Sequence, residues 1–246
     1  MKEPIVIIES EEPIPEAIKK WASAHSVPIY PNDLSGSKFI DRDEHYSYEY
    51  IIEYSSDITI GYLEIAYCHA HNLPATIAVS ERLIIKEIAS ESLIPYHRLI
   101  EKYPEAISDK SLLGLSEAEF EERHRAYIKY SYHFLGYGIC GIFLKNNNAP
   151  AIDQDSLEAS TPKAPIMIGI AGIDGAEIPT LSYALFQEYQ GQGYAFEACC
   201  QILKYASQSI EIDCITIEVS TSNSSSVKLA KKLKEAFPEL ISIKYF

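Results

Sequence analysis

Apolar positions along the chain recur with two different periods, and the switches between them outline the elements. "PIVIIES" near the N-terminus is a short apolar run suited to a buried strand. "IPEAIKKWASAH" places Ile14, Ala17, Ile18 and Trp21 at helical spacing, with Pro15 tolerable in a first turn. "SVPIYP" reads as another short strand, and "YSYEYIIEY" is rich in the aromatic and β-branched residues of strands. "ITIGYLEIAYCHAHN" returns to helical spacing, with Ile60, Leu63, Tyr67 and Ala70 on one face and Asn72 placed to end the helix before Pro74. The pattern predicts a small α/β unit over residues 1–77.

A second unit is predicted over residues 78–246. It opens with one strand across "TIAVSERLIIKEI", followed by helices over 90–102 and 116–133. The second helix begins with "SEAE", in which Ser116 and Glu119 match a capping box. "GYGICGIFLK" is a strand. Residues 146–165 are polar, rich in turn formers and without periodicity, so an exposed loop is expected there. "IMIGIAGI" and "IPTLSYALF" are strands around Asp174-Gly175, a hairpin signal. "YQGQGYAFEACCQILKYA" runs from a loop into a helix, "CITIEVS" is a strand, "SSVKLAKKLKEA" a helix and "LISIKYF" a last strand. Hairpin-linked strands followed by crossover helices imply a mixed sheet.

Composition narrows the class. Of the 246 residues, 47% are hydrophobic and 23% charged, which is ordinary for a globular chain. No apolar run reaches the ~20 residues of a membrane span, and acidic residues stand where a signal peptide has its apolar core, so a cytoplasmic location is expected, with no membrane partner. The five cysteines are odd in number, irregularly spaced and form no CxxC pair; reduced thiols and no metal are expected. "CHAH" at 68–71 reads as a helix end rather than a ligand cluster. Net charge is −14, and residues 1–77 hold 5 of the 21 basic and 13 of the 35 acidic side chains, so both units are acidic. Phosphate-rich nucleic acid is disfavoured as a partner, and a cationic or neutral substrate fits better, although solubility alone would also explain the charge. Tyr127 and Tyr130 in "YIKYSYHFLGYG" lack the basic neighbours of a base-stacking platform and read as core or pocket wall.

The glycine loop carries the most chemistry. No GxxxxGK[ST] loop is present, and the dinucleotide fingerprint fails because Phe196 stands where Gly or Ala is required. The loop nevertheless follows a strand and opens a helix, and free N–H groups at a helix start favour an anion. Gly191 and Gly193 leave room for close approach. With no basic side chain in the loop itself, backbone amides are expected to do the holding. The alternative is a glycine-rich turn with no ligand.

"LSYALFQEYQGQGYAFEACCQILKYA" resembles the acetyl-CoA motif of the GNAT N-acetyltransferase superfamily, in which Gln or Arg is followed by x-x-G-x-G/A, here Gln190, Gly193 and Ala195. The flavour is that of the branch holding the Rim-type ribosomal-protein N-acetyltransferases. "SERLIIKEI" is similar to that branch's first strand, and "IEVSTSNSSSVKLAKKL" to its N-x-x-S segment, here Asn223 and Ser226. The likeness covers residues 79–233. Through "DLSGSKFI" and "HNLPATI" the first 77 residues are similar to a Rossmann-like N-terminal extension on some bacterial GNAT-type proteins.

The resemblance implies an α/β (α+β) fold with a GNAT-like mixed, mostly antiparallel sheet flanked by helices, preceded by the small α/β unit. It implies an acetyl-CoA-dependent N-acetyltransferase acting on a primary amine, either a small molecule or a protein N-terminus. The pantetheine arm would lie along Tyr183, Ala184 and Leu185. The diphosphate would sit on the amides of Gly191, Gln192, Gly193, Tyr194, Ala195 and Phe196. Asn223 and Ser226 would face the arm, and a backbone N–H near Leu185 would stabilise the oxyanion. Glu218, five residues before Asn223, is the candidate general base, with an exposed strand carboxylate as the alternative; Asn223 has a helix-start role as its alternative.

Three departures bear on activity. Ala230 stands where relatives place a thiolate-protonating tyrosine, which leaves Ser226, or a tyrosine from elsewhere such as Tyr245, as the candidate acid. The family's "KLGF" is here Lys232-Leu233-Lys234-Glu235, and relatives usually add a further strand where the chain stops at Phe246. A non-catalytic acyl-CoA-binding sensor or scaffold is therefore the competing class. A nucleotide enzyme built on residues 1–77 would need a glycine fingerprint after "IVIIES". Oligomeric state is left open.

Overall fold

The computed structural model describes residues 5–8, 12–30, 50–145, 165–210 and 212–246. The chain divides into two compact units, Met1–Ala75 and Thr76–Phe246. The loop expected over 146–165 and the "DLSGSKFI" stretch lie outside the described residues, apart from Pro165.

In the first unit, β1 (Ile5–Ile8) lies between β2 (Ile29–Tyr30) and β3 (Tyr50–Glu53), both parallel to it. Parallel neighbours need crossovers, which α1 (Glu16–Ala24) supplies between β1 and β2. Ile18, Trp21 and Ala22 of α1 pack with Ile5, Ile7, Ile52 and Leu63. The last comes from α2 (Ile60–Ala70), whose N-terminus is capped by Thr59 accepting from the Tyr62 N–H. Asn72, at φ 55°, takes the left-handed conformation that ends α2. The indole of Trp21 donates to Glu64 at 2.7 Å, so its one polar atom is satisfied as its ring is buried.

The second unit is a seven-stranded sheet in the order β10-β9-β8-β7-β6-β5-β4. β4 (Thr76–Val79), β5 (Leu83–Glu87), β6 (Ile139–Leu144), β7 (Met167–Asp174) and β8 (Thr180–Leu185) are successively antiparallel. β9 (Ile215–Val219) and β10 (Ile241–Tyr245) join as parallel strands. Helices α3 (Leu93–Lys102) and α4 (Glu117–Tyr127) cover one face, burying Tyr96, Leu99, Ile100 and Phe120 against Ile139, Met167 and Ile170. On the other face α5 (Tyr194–Ser209) and α6 (Ser224–Ala236) bury Ala198, Cys199, Ile202, Leu203, Ala230 and Leu233 against Ile142, Ile168, Ile215 and Ile217. Ser116 and Glu119 form the expected capping box at α4, and α4 continues as a π-helical stretch, Ile128–Leu135, closed by Gly136.

One element differs from expectation. "TIAVSERLIIKEI" is not a single strand but the hairpin β4–β5, because the apolar alternation runs on across a polar turn at residues 80–82. Ser80 closes it: its N–H donates to the Leu83 carbonyl, and its Oγ accepts from the Leu83 N–H at 3.1 Å. A serine that bonds its own backbone two or three residues on competes with strand pairing and makes a turn.

Candidate active site

The site grows out of a gap in the sheet. β8 pairs with β7 at six successive positions and β9 pairs with β10 at five, yet β8 meets β9 only at Thr180–Thr216. Beyond that point the two strands part. In an antiparallel ladder, peptide groups face the two neighbours alternately. The Phe186 N–H donates to Ile168 on the β7 side at 3.0 Å, so Ala184 and Ser182 also face β7. Tyr183 and Leu185 therefore present their N–H and C=O groups to the gap. Opposite them, Ile215 donates to Leu240 on the β10 side, which turns the peptide groups of Thr216, Glu218 and Ser220 toward the gap. Two of the three residues expected to line the arm, Tyr183 and Leu185, thus offer free main-chain groups. Those of Ala184 are committed to β7, so it acts as a spacer there rather than as a partner.

At the end of β8, Gln190 folds back. Its Nε2 donates to the Leu185 carbonyl at 2.9 Å and to the Tyr103 hydroxyl at 3.2 Å. This occupies the Leu185 carbonyl and leaves its N–H as the donor aimed into the gap. Gln190 is thus a brace within the protein. The loop that follows needs glycine: Gly191 and Gly193 have φ of 73° and 83°, a region costly for other residues. Gly193 is the N-cap of α5, and the first helical bond runs from the Glu197 N–H to the Gly193 carbonyl. Among the described residues, the amides of Gly191, Gln192, Gly193, Tyr194, Ala195 and Phe196 have no acceptor in the protein. Six free donors at the head of a 16-residue helix could cradle an anion, since the helix dipole favours negative charge there. The Tyr194 side chain is buried, so that residue contributes its amide alone.

Sequence reasoning missed the side chains that hold this loop. Glu197, in the first turn of α5, accepts from Ser80 Oγ at 2.7 Å, from the Arg82 N–H at 3.1 Å, from Arg82 Nε at 2.7 Å and pairs with Arg82 Nη2 at 2.6 Å. Arg82 Nη1 donates to the Gln192 carbonyl at 3.1 Å, and its guanidinium lies 4.4 Å from the centre of the Tyr194 ring. The partners are more than a hundred residues apart in sequence, and the turn that carries Ser80 and Arg82 is itself masked by the continuing apolar alternation. Partial burial pushes the Glu197 carboxyl up, but the bonds from Ser80 and Arg82 outweigh it and hold the group below the ordinary carboxylate range.

The candidate catalytic groups lie on opposite faces of β9. Ile215, Ile217 and Val219 point into the α5–α6 core, so Thr216 and Glu218 project the other way. Glu218 is exposed and its Oε1 pairs with Lys244, its register partner on β10, at 2.7 Å. Ser226 belongs to the first turn of α6, on the α5 side toward the Tyr183 hydroxyl; burial pushes Tyr183 up to about 12, with Ser226 acting the other way. Asn223 caps α6, its Oδ1 accepting from the Ser226 N–H at 3.0 Å, so its helix-start role is present and its amide NH₂ is the part left to donate to a ligand. Ala230 is fully buried in the core. Tyr245 is exposed on the edge strand β10, a strand away from the gap. Among the described residues no group of three or more His, Cys, Asp or Glu side chains could hold a metal, and no helix is long and apolar enough to cross a membrane.

A mixed, mostly antiparallel sheet with a central parting, flanked by helices and with free amides at the head of α5, is the architecture on which the family comparison falls. Residues 82–234 match the acetyltransferase (GNAT) domain family, and the chain belongs to that family. An acetyltransferase from Agrobacterium tumefaciens is similar at 18% identity and a TM-score of 0.47, over 63% of this chain and 81% of its own. An acetyltransferase from Salmonella typhimurium that modifies the N-terminal serine of the 50S ribosomal subunit protein L7/L12 is similar at 19% identity and a TM-score of 0.44, over 63% of this chain and 81% of its own. No curated protein matches the chain in sequence.

Two outcomes test the local physics. Because Ala230 has no space around it, Ala230→Tyr is expected to overpack the core and lower stability by about 1–3 kcal/mol in denaturant titrations, without raising activity. Because the folded Glu197 carboxyl titrates below its unfolded value, its contribution is present above about pH 4.3 and is lost as pH falls through the depressed value. The melting-temperature advantage of the wild type over Glu197→Gln should accordingly be full at neutral pH and disappear on acidification below about pH 4.

Proposed function

We propose that the chain transfers an acetyl group from acetyl-CoA to a primary amine by direct attack on the thioester. The observation that carries this reading is the pairing of β8 with β9 at one position only, beside six free amides at the head of α5. An extended pantetheine chain fits a gap edged by unpaired peptide groups, as an added strand fits a sheet edge. A diphosphate fits amides backed by a helix dipole. When bound, acetyl-CoA supplies the activated acetyl group as a thioester.

The protein's own groups then divide the work. The free Leu185 N–H is the donor that stabilises negative charge developing on the acetyl oxygen. Glu218 takes the proton from the attacking amine on its own face of β9. The Ser226 and Tyr183 hydroxyls lie on the other face and donate hydrogen bonds toward the departing sulfur. Holding both reactants in one gap supplies part of the rate by itself. The chain's acidity, −14 overall, favours a cationic amine as acceptor.

The Lys244–Glu218 pair favours a second reading, a protein that binds acyl-CoA without turnover, because an ammonium already sits on the candidate base. Calorimetric titration with acetyl-CoA should show saturable binding; none at millimolar ligand rejects both readings. Glu218→Gln should keep that affinity and lose amine-dependent thiol release by on the order of a hundredfold. Wild-type binding without thiol release across a panel of primary amines would favour the second reading.

A further inference from the structure

Arg82 is the one guanidinium that the structure brings to the cradle among the described residues, and its contacts decide between two roles. A direct ligand would keep its donors and its charge for the anion. Arg82 spends most of both inside the protein: Nε and Nη2 are engaged by the Glu197 carboxylate at 2.7 and 2.6 Å and Nη1 by the Gln192 carbonyl at 3.1 Å, which uses three of its five N–H donors and offsets its charge. The pair is neutral as a unit. Glu197 is fixed in turn by Ser80 Oγ and by the Arg82 N–H. The clasp therefore joins the β4–β5 turn, the glycine loop and the first turn of α5.

The bond to Gln192 has a consequence for the loop. A peptide is planar and trans, so its C=O and N–H point in opposite directions. With the Gln192 carbonyl drawn to Arg82, the Gly193 N–H faces away from it, on the ligand side. Gly191 and Gly193 both lie at positive φ and have no side chain to resist rotation. Without Arg82 that peptide is free to turn, and a carbonyl oxygen facing a phosphate replaces attraction with repulsion.

We propose that Arg82 is a positioning residue for a diphosphate cradle: with Glu197 it locks the Gln192–Gly193 peptide so that the loop amides converge on the ligand. The proposal rests on the reading that residues 191–196 hold the diphosphate of coenzyme A. It separates from a direct-ligand role by two variants. Arg82→Lys keeps the charge but loses the fork that grips Glu197 and Gln192 together. Glu197→Gln keeps Arg82 but loosens the clasp and frees its charge.

The experiment is calorimetric titration of the wild type, Arg82→Met, Arg82→Lys and Glu197→Gln with coenzyme A, with pantetheine binding followed by ligand-observed NMR and folding by circular dichroism. All three variants are expected to lose about tenfold or more in coenzyme A affinity and to keep the wild-type response to pantetheine, which lacks the diphosphate. Equal loss for both ligands would mean general damage and overturn the proposal. Wild-type affinity in Arg82→Met or Arg82→Lys, or tighter binding by Glu197→Gln, would overturn it while leaving the cofactor reading intact. No coenzyme A binding by the wild type would remove the cofactor reading and the proposal together.

Discussion

The interior parting of β8 from β9 is the constraint on which the site depends. Leaving a buried peptide group unpaired costs about 1–3 kcal/mol, so a sheet does not open in its middle without compensation. Here each strand is held on its far side, β8 by six pairs to β7 and β9 by five to β10. Two rigid sub-sheets are joined at Thr180–Thr216. The core under the gap is kept closed by α5 and α6, through Leu203, Ala230 and Leu233. The gap is therefore a fixed slot with donors and acceptors on both edges, and a ligand that completes the pairing recovers what the parting costs.

Electrostatics makes the construction of the cradle more pointed. The chain carries −14, and the proposed ligand, coenzyme A, is itself polyanionic. Attraction by net charge is not available, and Arg82 is neutralised by Glu197. What remains is short-range: six amides and a helix dipole, which act within a turn of the helix and only on an anion in the right place. A site of this kind is selective by geometry, and so depends on whatever keeps the amides aligned. On the proposed reading, placing the charged clasp behind the loop reconciles an acidic protein with an anionic ligand.

The parts of this arrangement legible in the sequence were local ones. The glycine loop, the Ser116 capping box and the N-x-x-S helix start each declare themselves within a few residues, and Asp174-Gly175 marks a hairpin, although its loop spans residues 175–179 with only Gly175 at positive φ rather than a two-residue turn. The hairpin at Ser80 was hidden because alternation of apolar residues continues through it, and period alone cannot show that a strand has reversed. That turn carries Arg82. The clasp was invisible for a second reason: Arg82 and Glu197 are 115 positions apart, and nothing at either end marks the other. Likewise the three residues of β8 looked equivalent, until the Phe186–Ile168 bond showed which peptide groups are free.

The absence of a tyrosine at Ala230 is better understood from the other side of the gap. Tyr183 comes from β8 rather than α6, and its hydroxyl lies toward Ser226 in the first turn of α6. Burial pushes it up to about 12, so Tyr183 stays protonated through the neutral range and above it. A phenol held that high is a poor source of a whole proton for a thiolate, which is the weaker base. It is a good source of a hydrogen bond, because it keeps the proton it shares. On the proposed reading, the pair then stabilises the departing sulfur as an anion and leaves its final protonation to water. That division asks less of an acid than of a base, and the base is the group under constraint: Glu218, on the opposite face, must release Lys244 before it can serve an incoming amine. A cationic acceptor that displaces the Lys244 ammonium would bring its own nitrogen to the carboxylate in the same move.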